Sequence, residues 1–368
     1  MKAAARLPRW AELGLLPLIN LGAALLVSGL VIRLIGESPW AAFKLMAAGA
    51  FGAQDSIGYT LFYATDFVFT GLAVAVAFHA GLFNIGGEGQ AYIGGLGVGL
   101  VGLAFGSWSP WIVIPMGIAS GCLFGAAWAV VPAWLQARRG SHIVITTIMA
   151  NFIASALMTY LLVNVLIKPG QQSPESREFG PGAAMPAVHE VLARFGVTFA
   201  PSPFNLASLL ALAACIAVWL FLWRTRWGYS LRVVGQNPQA ALYAGISPGK
   251  TILVAMILSG GLAGCLGVNE LMGSQHRILL DFPGGAGFVG IAVALMGRNH
   301  PLGILAASLL FGALYQGGSQ LSFDMPHVNR DMVILIQGLV ILFCGALENM
   351  FRAPLAGLLG AVNARKRA

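Results

Sequence analysis

Long apolar segments alternate with short polar connections along most of the 368-residue chain. A membrane-spanning helix needs about 20 mostly apolar residues, and ten segments approach that length. They cover residues 13–35, 57–80, 89–107, 110–134, 143–167, 205–223, 251–273, 286–299, 301–319 and 331–350. The pattern predicts an all-α polytopic membrane protein with about ten transmembrane helices in a single domain over residues 1–368. The helix bounds near 36–57 and 274–300 are the least sharply marked.

One polar stretch interrupts this pattern. Residues 81–90 read Gly-Leu-Phe-Asn-Ile-Gly-Gly-Glu-Gly-Gln and lie between two strongly apolar segments. A carboxylate such as that of Glu88 is costly to dehydrate, so in a membrane protein it faces the protein interior or an aqueous path. The glycines allow close backbone approach or a break in a helix. The stretch therefore predicts a site that handles a polar group.

Composition supports a membrane protein, because 58% of the residues are hydrophobic and 9% are charged, whereas soluble domains have about 45–50% and 25%. The formal charge of +8 does not indicate nucleic-acid binding, since the basic residues lie between apolar segments and form no single basic face.

The distribution of basic residues predicts the orientation in the membrane, because basic residues are enriched in cytoplasmic connections. With both termini inside, fourteen of the 21 basic residues are cytoplasmic, namely Lys2, Arg6, Arg9, Arg138, Arg139, Arg224, Arg226, Arg232, Lys250, Arg298, Arg352, Arg365, Lys366 and Arg367. The other seven are Arg33, Lys44, Lys168, Arg177, Arg194, Arg277 and Arg330. This excess predicts that both termini face the cytoplasm.

The first apolar segment, residues 13–35, is longer than the core of a signal peptide, which has about 7–15 residues. We therefore expect an uncleaved first helix.

The cysteines Cys122, Cys215, Cys265 and Cys344 stand alone in apolar segments without metal-ligand spacing. We expect them to serve as small buried hydrophobic residues.

Two connections are too long to be simple turns. Residues 168–204 are rich in Pro and Gly and are external in this topology, where they would form a lid or a docking surface for an external partner. Residues 224–250 are cytoplasmic. There Asn237 suits a helix N-cap, Pro238 the first helical position, and Gly245 a left-handed C-terminus. A helix of two turns is too short to be stable alone, so either a partner surface or the lipid head groups must hold it.

Two glycine motifs do not indicate nucleotide sites. Residues 245–251 lack one residue of the P-loop spacing and precede an apolar segment instead of following a strand. Residues 97–102 match the dinucleotide pattern but lie within a predicted membrane helix, where they favour close helix packing. The sequence has no catalytic triad, paired carboxylates or metal-ligand set, and its six histidines are scattered. It argues against an enzyme and predicts no metal site.

A short internal echo links residues 69–75 and 288–294, which match at five of seven positions. Transporters are often built from repeats. Apolar sequence also produces such matches readily, so the echo is weak support for a transporter.

Five segments together resemble the permease subunit of bacterial ATP-binding-cassette (ABC) importers. They are residues 71–75 (Gly-Leu-Ala-Val-Ala), 81–90, 145–151 (Ile-Thr-Thr-Ile-Met-Ala-Asn), 235–246 (Gly-Gln-Asn-Pro-Gln-Ala-Ala-Leu-Tyr-Ala-Gly-Ile) and 290–299 (Gly-Ile-Ala-Val-Ala-Leu-Met-Gly-Arg-Asn). More narrowly, the chain is similar to permeases of nucleoside and simple-sugar uptake systems, in the superfamily that includes branched-chain amino acid and ribose permeases. The resemblance extends from about residue 40 onward, and residues 81–90 and 235–246 are its specific parts.

The resemblance implies several partner chains in the bacterial cytoplasmic membrane. Residues 238–244 would be the coupling helix that docks in a groove of a separate ATPase subunit, with coupling residues Arg232, Gly235, Asn237, Ala240, Ala241 and Gly245. A second, non-identical permease subunit would share the path, and a substrate-binding protein or lipoprotein would meet the external loops. This chain itself would hold no cofactor, because ATP and magnesium would bind to the ATPase.

Candidate path residues offer hydrogen-bonding groups or an aromatic face, and they are Phe83, Asn84, Glu88, Gln90, Asn151, Asn269 and Glu270. Amides suit hydroxyls and heterocycle edges, and Phe stacks on a base or sugar face. The same groups could instead hydrogen-bond neighbouring helices, and both interpretations stay open. Asp66 is a further candidate. For Glu88, we hypothesise that the carboxylate caps and positions a broken helix start near the inner mouth of the path.

A nucleoside is the first substrate candidate, because residues 84–90 resemble that subgroup, and a simple sugar or another heterocycle is the alternative. A different mechanism is an ion-coupled secondary transporter in which Glu88 and Glu270 bind protons or sodium. That mechanism leaves the cytoplasmic helix unexplained. A membrane enzyme or scaffold without transport has little positive support.

Overall fold

The structure is a computed structural model that describes residues 8, 11, 15–325, 328, 330–343, 351–352 and 354–357. The helices are α1 (Leu16–Leu34), α2 (Pro39–Phe51), α3 (Gln54–His79), α4 (Gly87–Phe105), α5 (Pro110–Arg139), α6 (Ile143–Asn164), α7 (Val188–Ala193), α8 (Ala207–Arg224), α9 (Arg226–Gln236), α10 (Pro238–Tyr243), α11 (Pro248–Gly264), α12 (Ala286–Met296), α13 (Pro301–Asp324) and α14 (Arg330–Ile341). A π-helical segment, Val268–Gln275, follows α11, and a 3-10 turn, Pro181–Ala183, precedes α7. Over these residues β pairing is confined to three isolated bridges. The predicted all-α class is confirmed.

Several helices are suited to a membrane. In the described part of the chain six are long and apolar enough to cross one, namely α3, α5, α6, α8, α11 with its π-helical extension, and α13. A bent pair, α1 and α2, would make a seventh. The protein is therefore a multi-pass membrane protein. Each of the ten predicted segments contains a helix, but the count of ten spans and the N-in/C-in orientation stay predictions.

Some predictions concern residues outside the described ranges. They are the basic residues Lys2, Arg6, Arg9, Arg365, Lys366 and Arg367, Cys344, and the ends of the segments predicted at 13–35 and 331–350. Helix α1 is described from Leu16 and α14 to Ile341.

Helix α2 lies in the 36–57 interval, where the apolar pattern marks no span. Ser38 starts it as N-cap, because its side chain accepts a hydrogen bond from the Ala41 N–H at 3.4 Å and Pro39 takes the first helical position. The axis bends by 118° between α1 and α2. A Ser-Pro start signal was thus present in the sequence, although the 13 residues of α2 are too few to read as a span.

The described residues form two compact units, one from those up to 52 and from 314 on, the other from residues 53–313. In the first unit α2 packs against the last part of α13. A Cβ added at Gly49 would lie 2.9 Å from Gln320 Cγ, and one at Gly317 would lie 3.1 Å from Met46 Cα. Glycines thus permit the close helix contact.

In the second unit α3 is the central helix, with 83% of its most apolar window buried. Helices α5 and α11 meet backbone to backbone, since a Cβ at Gly125 or Gly260 would collide with the other residue's carbonyl. Such small-residue contacts replace the hydrophobic effect as the source of helix association in lipid. Helices α5, α6 and α8 are mostly unburied in their apolar windows, which suits surfaces that face lipid.

The two echo segments pack against each other. Gly71 of α3 faces Val293 of α12, and Gly290 of α12 faces Thr70 of α3. The glycine of each segment thus lies in the contact with the other segment. The sequence match therefore coincides with a helix contact, which explains the two shared glycines by packing.

Candidate functional site

Residues 80–86 turn the chain back into the protein between α3 and α4. Gly81 takes the left-handed backbone conformation, with φ of 74°, that the reversal requires. Asn84 then reaches Ser259 of α11, whose hydroxyl donates to the Ala73 carbonyl at 2.6 Å. Ala73 precedes His79 by six residues, which is about 9 Å of helix at 1.5 Å per residue. Helix α4 therefore begins inside the protein, well back from the end of α3.

Asn84 is the centre of a closed polar network at this break. Its Nδ2 donates to Gln90 Oε1 and to Ser259 Oγ, each at 2.9 Å. Its Oδ1 accepts the Gly86 N–H at 2.8 Å and a hydrogen bond from Gln90 Nε2 at 3.3 Å. Asn84 and Gln90 are each 1% exposed and Ser259 is fully buried. A fully satisfied buried network of this kind fixes one geometry for the helix break.

Asn151 of α6 supports the same break from the other side. Its Nδ2 donates to the Ile85 carbonyl and its Oδ1 accepts the Gly89 N–H, both at 3.0 Å. These are backbone groups that a broken helix leaves without intrahelical partners. A Cβ at Gly89 would lie 3.0 Å from Asn151 Cα, so glycine permits this approach.

Glu88 connects the start of α4 to the start of α12. Its two carboxylate oxygens accept the N–H groups of Gly285 and Gly287, each at 2.8 Å. Gly285 precedes α12 and has a φ of 87°. A carboxylate at a helix N-terminus satisfies free N–H groups and complements the helix dipole. Glu88 thus caps the start of α12, almost 200 residues further on. Its hypothesised place near the inner mouth of the path stays a prediction.

Asn269 and Glu270 lie in a second network on the π-helical segment. Asn269 Nδ2 donates to Asp66 Oδ1 of α3 at 3.0 Å and to the Phe62 carbonyl at 3.2 Å. Asn205 donates to Asn269 Oδ1 at 3.0 Å. Asp66 is 2% and Glu270 9% exposed. Because Asp66 lies seven residues before Ala73, about 10 Å along the helix, this network is separate from that of Asn84.

Phe83 belongs to neither network. Its ring packs edge-on against Phe78, with ring centroids 6.2 Å apart. The side chain is half-buried. It lies at the reversal and contributes an apolar contact between the end of α3 and the connection.

The predicted coupling loop rests on this reversal. Gly235, near the end of α9, lies against the connection so closely that a Cβ added at Gly81 would be 3.2 Å from Gly235 Cα. A Cβ added at Gly235 would collide with the His79 carbonyl oxygen and lie 2.9 Å from the Gly81 nitrogen. The contact is therefore backbone against backbone and leaves no room for a side chain on Gly235 and little room for one on Gly81.

Helix α10 follows, with the predicted start and end. Asn237 Oδ1 accepts the N–H groups of Gln239 and Ala240, each at 3.0 Å, and Gly245 ends the turn with φ of 75°. Ala241 is fully buried against the rest of the chain, whereas Ala240 is exposed. The outer side of the helix presents Leu242, 55% exposed, and Tyr243, 94% exposed. This apolar surface has no covering element among the described residues.

An aromatic cluster joins the same end of the molecule. Trp223 of α8 lies between His79 and His300, with ring centroids 5.4 Å and 5.1 Å away. Arg232 of α9, nine residues after Trp223 in the sequence, is half-buried. Its Nε has no hydrogen-bond partner among the described atoms. The ring contacts thereby join α3 and α8 to the connection that leads into α13.

The structure thus groups the predicted residues in three places. Asn84, Glu88, Gln90 and Asn151 surround the start of α4, and Asn269 and Glu270 lie in the second network. The six coupling residues lie within one short stretch that covers the end of α9, α10 and the turn after it, namely Arg232, Gly235, Asn237, Ala240, Ala241 and Gly245.

Sequence reasoning missed Ser259 and Asn205. Both were visible as polar residues in or beside apolar runs, but their partners lie 175 and 64 residues away. Among the described residues no three His, Cys, Asp or Glu side chains gather as a metal site.

Comparison with known proteins identifies the family. Residues 56–345 match the model of the branched-chain amino acid transport system / permease component family. The chain is 32% identical to the glucose ABC transporter permease protein TsgB13 of Haloferax volcanii, over 91% of this chain and 88% of that protein. It is 32% identical to the guanosine ABC transporter permease protein NupP of Bacillus subtilis, over 89% of this chain and 92% of that protein. It is 30% identical to the nucleoside ABC transporter permease protein NupB of Lactococcus lactis, over 89% of this chain and 90% of that protein.

No solved structure matches the chain significantly. The family match covers more than two thirds of the sequence and includes both polar networks and the coupling loop. The chain therefore belongs to the branched-chain amino acid transport system / permease component family.

Proposed function

We propose that this protein is the permease subunit of an ABC importer that takes up a nucleoside or a related small polar solute. It would act in the bacterial cytoplasmic membrane as one domain of ten spans with both termini inside. The support is the family and the relatives named for guanosine, nucleosides and glucose. The sequence similarity also favours an ATPase in a partner chain over an ion-coupled carrier, and over an enzyme.

The contact between Gly81 and Gly235 carries the proposal. It joins the loop that bears α10 to the reversal that leads into the Asn84 network. An ATPase that binds the exposed Leu242 and Tyr243 of α10 would, when it moves, also move α9, because α10 follows α9 directly. Because Gly235 meets His79 and Gly81 through backbone atoms, with no flexible side chain between them, that movement would reach the start of α4 directly.

In this proposal the coupling residues have distinct tasks. Asn237 and Gly245 define the ends of α10, Ala241 seats it, and Ala240 lies on the exposed side toward the ATPase. Gly235 passes motion to α3 and α4. Arg232 keeps α9 beside the cluster of His79, Trp223 and His300.

The path residues would act mainly as gate and hinge elements. The amides of Asn84, Gln90 and Asn151 are occupied by internal hydrogen bonds. They would therefore set the geometry of the helix break that lines the path, and Phe83 would supply an apolar surface beside it. Glu88 would make α12 move with α4. Asn269 with Glu270 would hold the middle part of α3.

The partners follow from the family. We propose an ATPase subunit at α10, a second, non-identical permease subunit that completes the path, and an external substrate-binding protein or lipoprotein at residues 168–204. The chain would require no cofactor of its own. A glucose-type sugar is the second substrate candidate, favoured by the relative named for glucose at the same identity as the guanosine relative.

The test is uptake by proteoliposomes that contain the full permease pair, the ATPase and the binding protein. Labelled guanosine and labelled glucose are compared with ATP inside, without ATP, and without the ATPase. We expect uptake of one of them only in the complete system with ATP, unaffected by ionophores. Uptake by the permease alone under a proton or sodium gradient would overturn the proposal.

A further inference from the structure

A groove of ≈ 460 Å³ opens at the end of α4 and α6 that lies opposite the coupling loop. Its apolar walls are Leu100, Leu103, Ala104, Val165 and Leu166. At its rim lie two cationic side chains, Lys168 and Arg177. None of the described interactions of the polar networks or of α10 involves this groove.

The groove lies where a membrane interface would cross the protein. Helix α4 ends at Phe105, and Leu100 lies five residues earlier, about 7.5 Å further into the apolar layer. Exposed aromatic residues mark the same end, with Trp111 90%, Tyr160 59% and Trp108 51% exposed. Trp and Tyr concentrate at membrane interfaces. The groove therefore runs from head-group depth into the hydrocarbon.

The two cations are held together by the backbone. Ile167 and Ser176 form an antiparallel bridge, so Lys168 and Arg177 are diagonal neighbours, about 7–8 Å apart at the backbone. The Arg177 Nη2 donates to the Leu103 carbonyl at 2.9 Å, which fixes the guanidinium over the top of α4. The remaining donors of its planar fork suit phosphate oxygens.

These charges are not neutralised by the described part of the chain. The ion pairs found there belong to Arg277, which binds Glu175 at 3.1 Å and Glu178 at 3.0 Å. The two acidic residues nearest to Arg177 in sequence, Glu175 and Glu178, thus bind a third cation, Arg277. Lys168 and Arg177, both exposed, form no ion pair with a described residue.

We propose that this groove binds an anionic phospholipid, with the phosphate between Lys168 and Arg177 and an acyl chain against the α4 and α6 walls. Charge complementarity selects an anionic head group, and the apolar walls select a lipid over a free anion. The lipid would fasten residues 165–178 to α4 and thereby steady the external loop. This proposal does not depend on which solute the protein carries.

The test is native mass spectrometry of the purified full chain titrated with phosphatidylglycerol or phosphatidylcholine. We expect preference for phosphatidylglycerol. The double variant Lys168→Gln with Arg177→Gln should bind phosphatidylglycerol about 30-fold more weakly, since each basic residue near an anionic lipid contributes a factor of about five. The matched control, Lys44→Gln with Arg194→Gln, removes two other exposed charges and should bind normally.

A second variant separates lipid from free phosphate. Ala104→Trp fills the exposed groove wall and keeps both cations, so it should weaken phosphatidylglycerol binding, and millimolar inorganic phosphate should not displace the lipid from the wild type. Displacement by phosphate, or normal lipid binding by Ala104→Trp, would reduce the groove to an anion site and overturn the proposal. Equal binding by the two charge variants would also overturn it. A further contradicting result would be that Ala104→Trp changes the oligomeric state of the permease but keeps its bound lipid. The groove would then be a contact between protein chains.

Discussion

At the scale of single residues, the polar side chains of this protein are occupied with holding broken helices. Glu88, Asn84 and Asn151 each bind backbone N–H or C=O groups that the helix breaks leave without partners. Sequence patterns drew attention to these residues, because a carboxylate and amides in an apolar setting are conspicuous. They did not predict the partners, since a hydrogen bond across nearly 200 residues leaves no local signal. Glu88 shows this most clearly, because the sequence suggested a capping role but gave no sign that the capped helix is α12.

The Glu88 cap can be tested with a single atom exchange. Glu88→Gln removes the charge and one acceptor from the pair of bonds to Gly285 and Gly287. We expect a loss of about 1–2 kcal/mol in unfolding free energy, measured by thermal unfolding of the purified permease, together with reduced ATP-driven uptake. The exposed Glu190→Gln in α7 is the matched control. Unchanged stability and uptake would mean that the glycine-rich backbone, and not the carboxylate, positions α12.

At the scale of elements, short-range signals were read correctly and long-range ones were not. The Asn-Pro start and Gly end of α10 were predicted from adjacent residues, because helix caps are local chemistry. The return of residues 80–86 into the protein, the π-helical segment and helix α2 were not. These features depend on contacts with distant helices, such as the hydrogen bond from Asn84 to Ser259. The apolar pattern along the chain carries no information about such contacts.

Helix α10 should bind the ATPase best when its N-terminal cap is intact. Asn237→Ala removes the acceptor for Gln239 and Ala240 and should destabilise the free helix by about 1 kcal/mol. Binding of the ATPase to the permease in nanodiscs should then weaken about fivefold. Asn237→Ser, which restores a capping oxygen, should recover most of that affinity. Equal affinity for the Ala and Ser variants would show that the cap does not contribute.

At the scale of the whole molecule, the proposed transport mechanism depends on one continuous mechanical connection within residues 53–313. It runs from the exposed side of α10 through α9 to the backbone contact of Gly235 with His79 and Gly81, and then to the polar network at the start of α4. A shift between two states of such a rigid connection is how ATP binding in a partner could open and close a path. The family could be inferred from sequence because its specific motifs fall at these contacts. The contact itself became visible only in the structure.

The most direct test compares two glycine-to-alanine variants in the same proteoliposomes. Gly235→Ala places a methyl group against the His79 and Gly81 backbone, whereas Gly249→Ala, at the same end of the molecule, would meet nothing closer than 3.7 Å. ATP hydrolysis and solute uptake are measured together. We predict that Gly235→Ala assembles and hydrolyses ATP but takes up solute at about a tenth of the normal rate or less, an effect of about 1.4 kcal/mol on coupling. Gly249→Ala should be normal. Full uptake by Gly235→Ala at the normal cost in ATP would contradict this prediction.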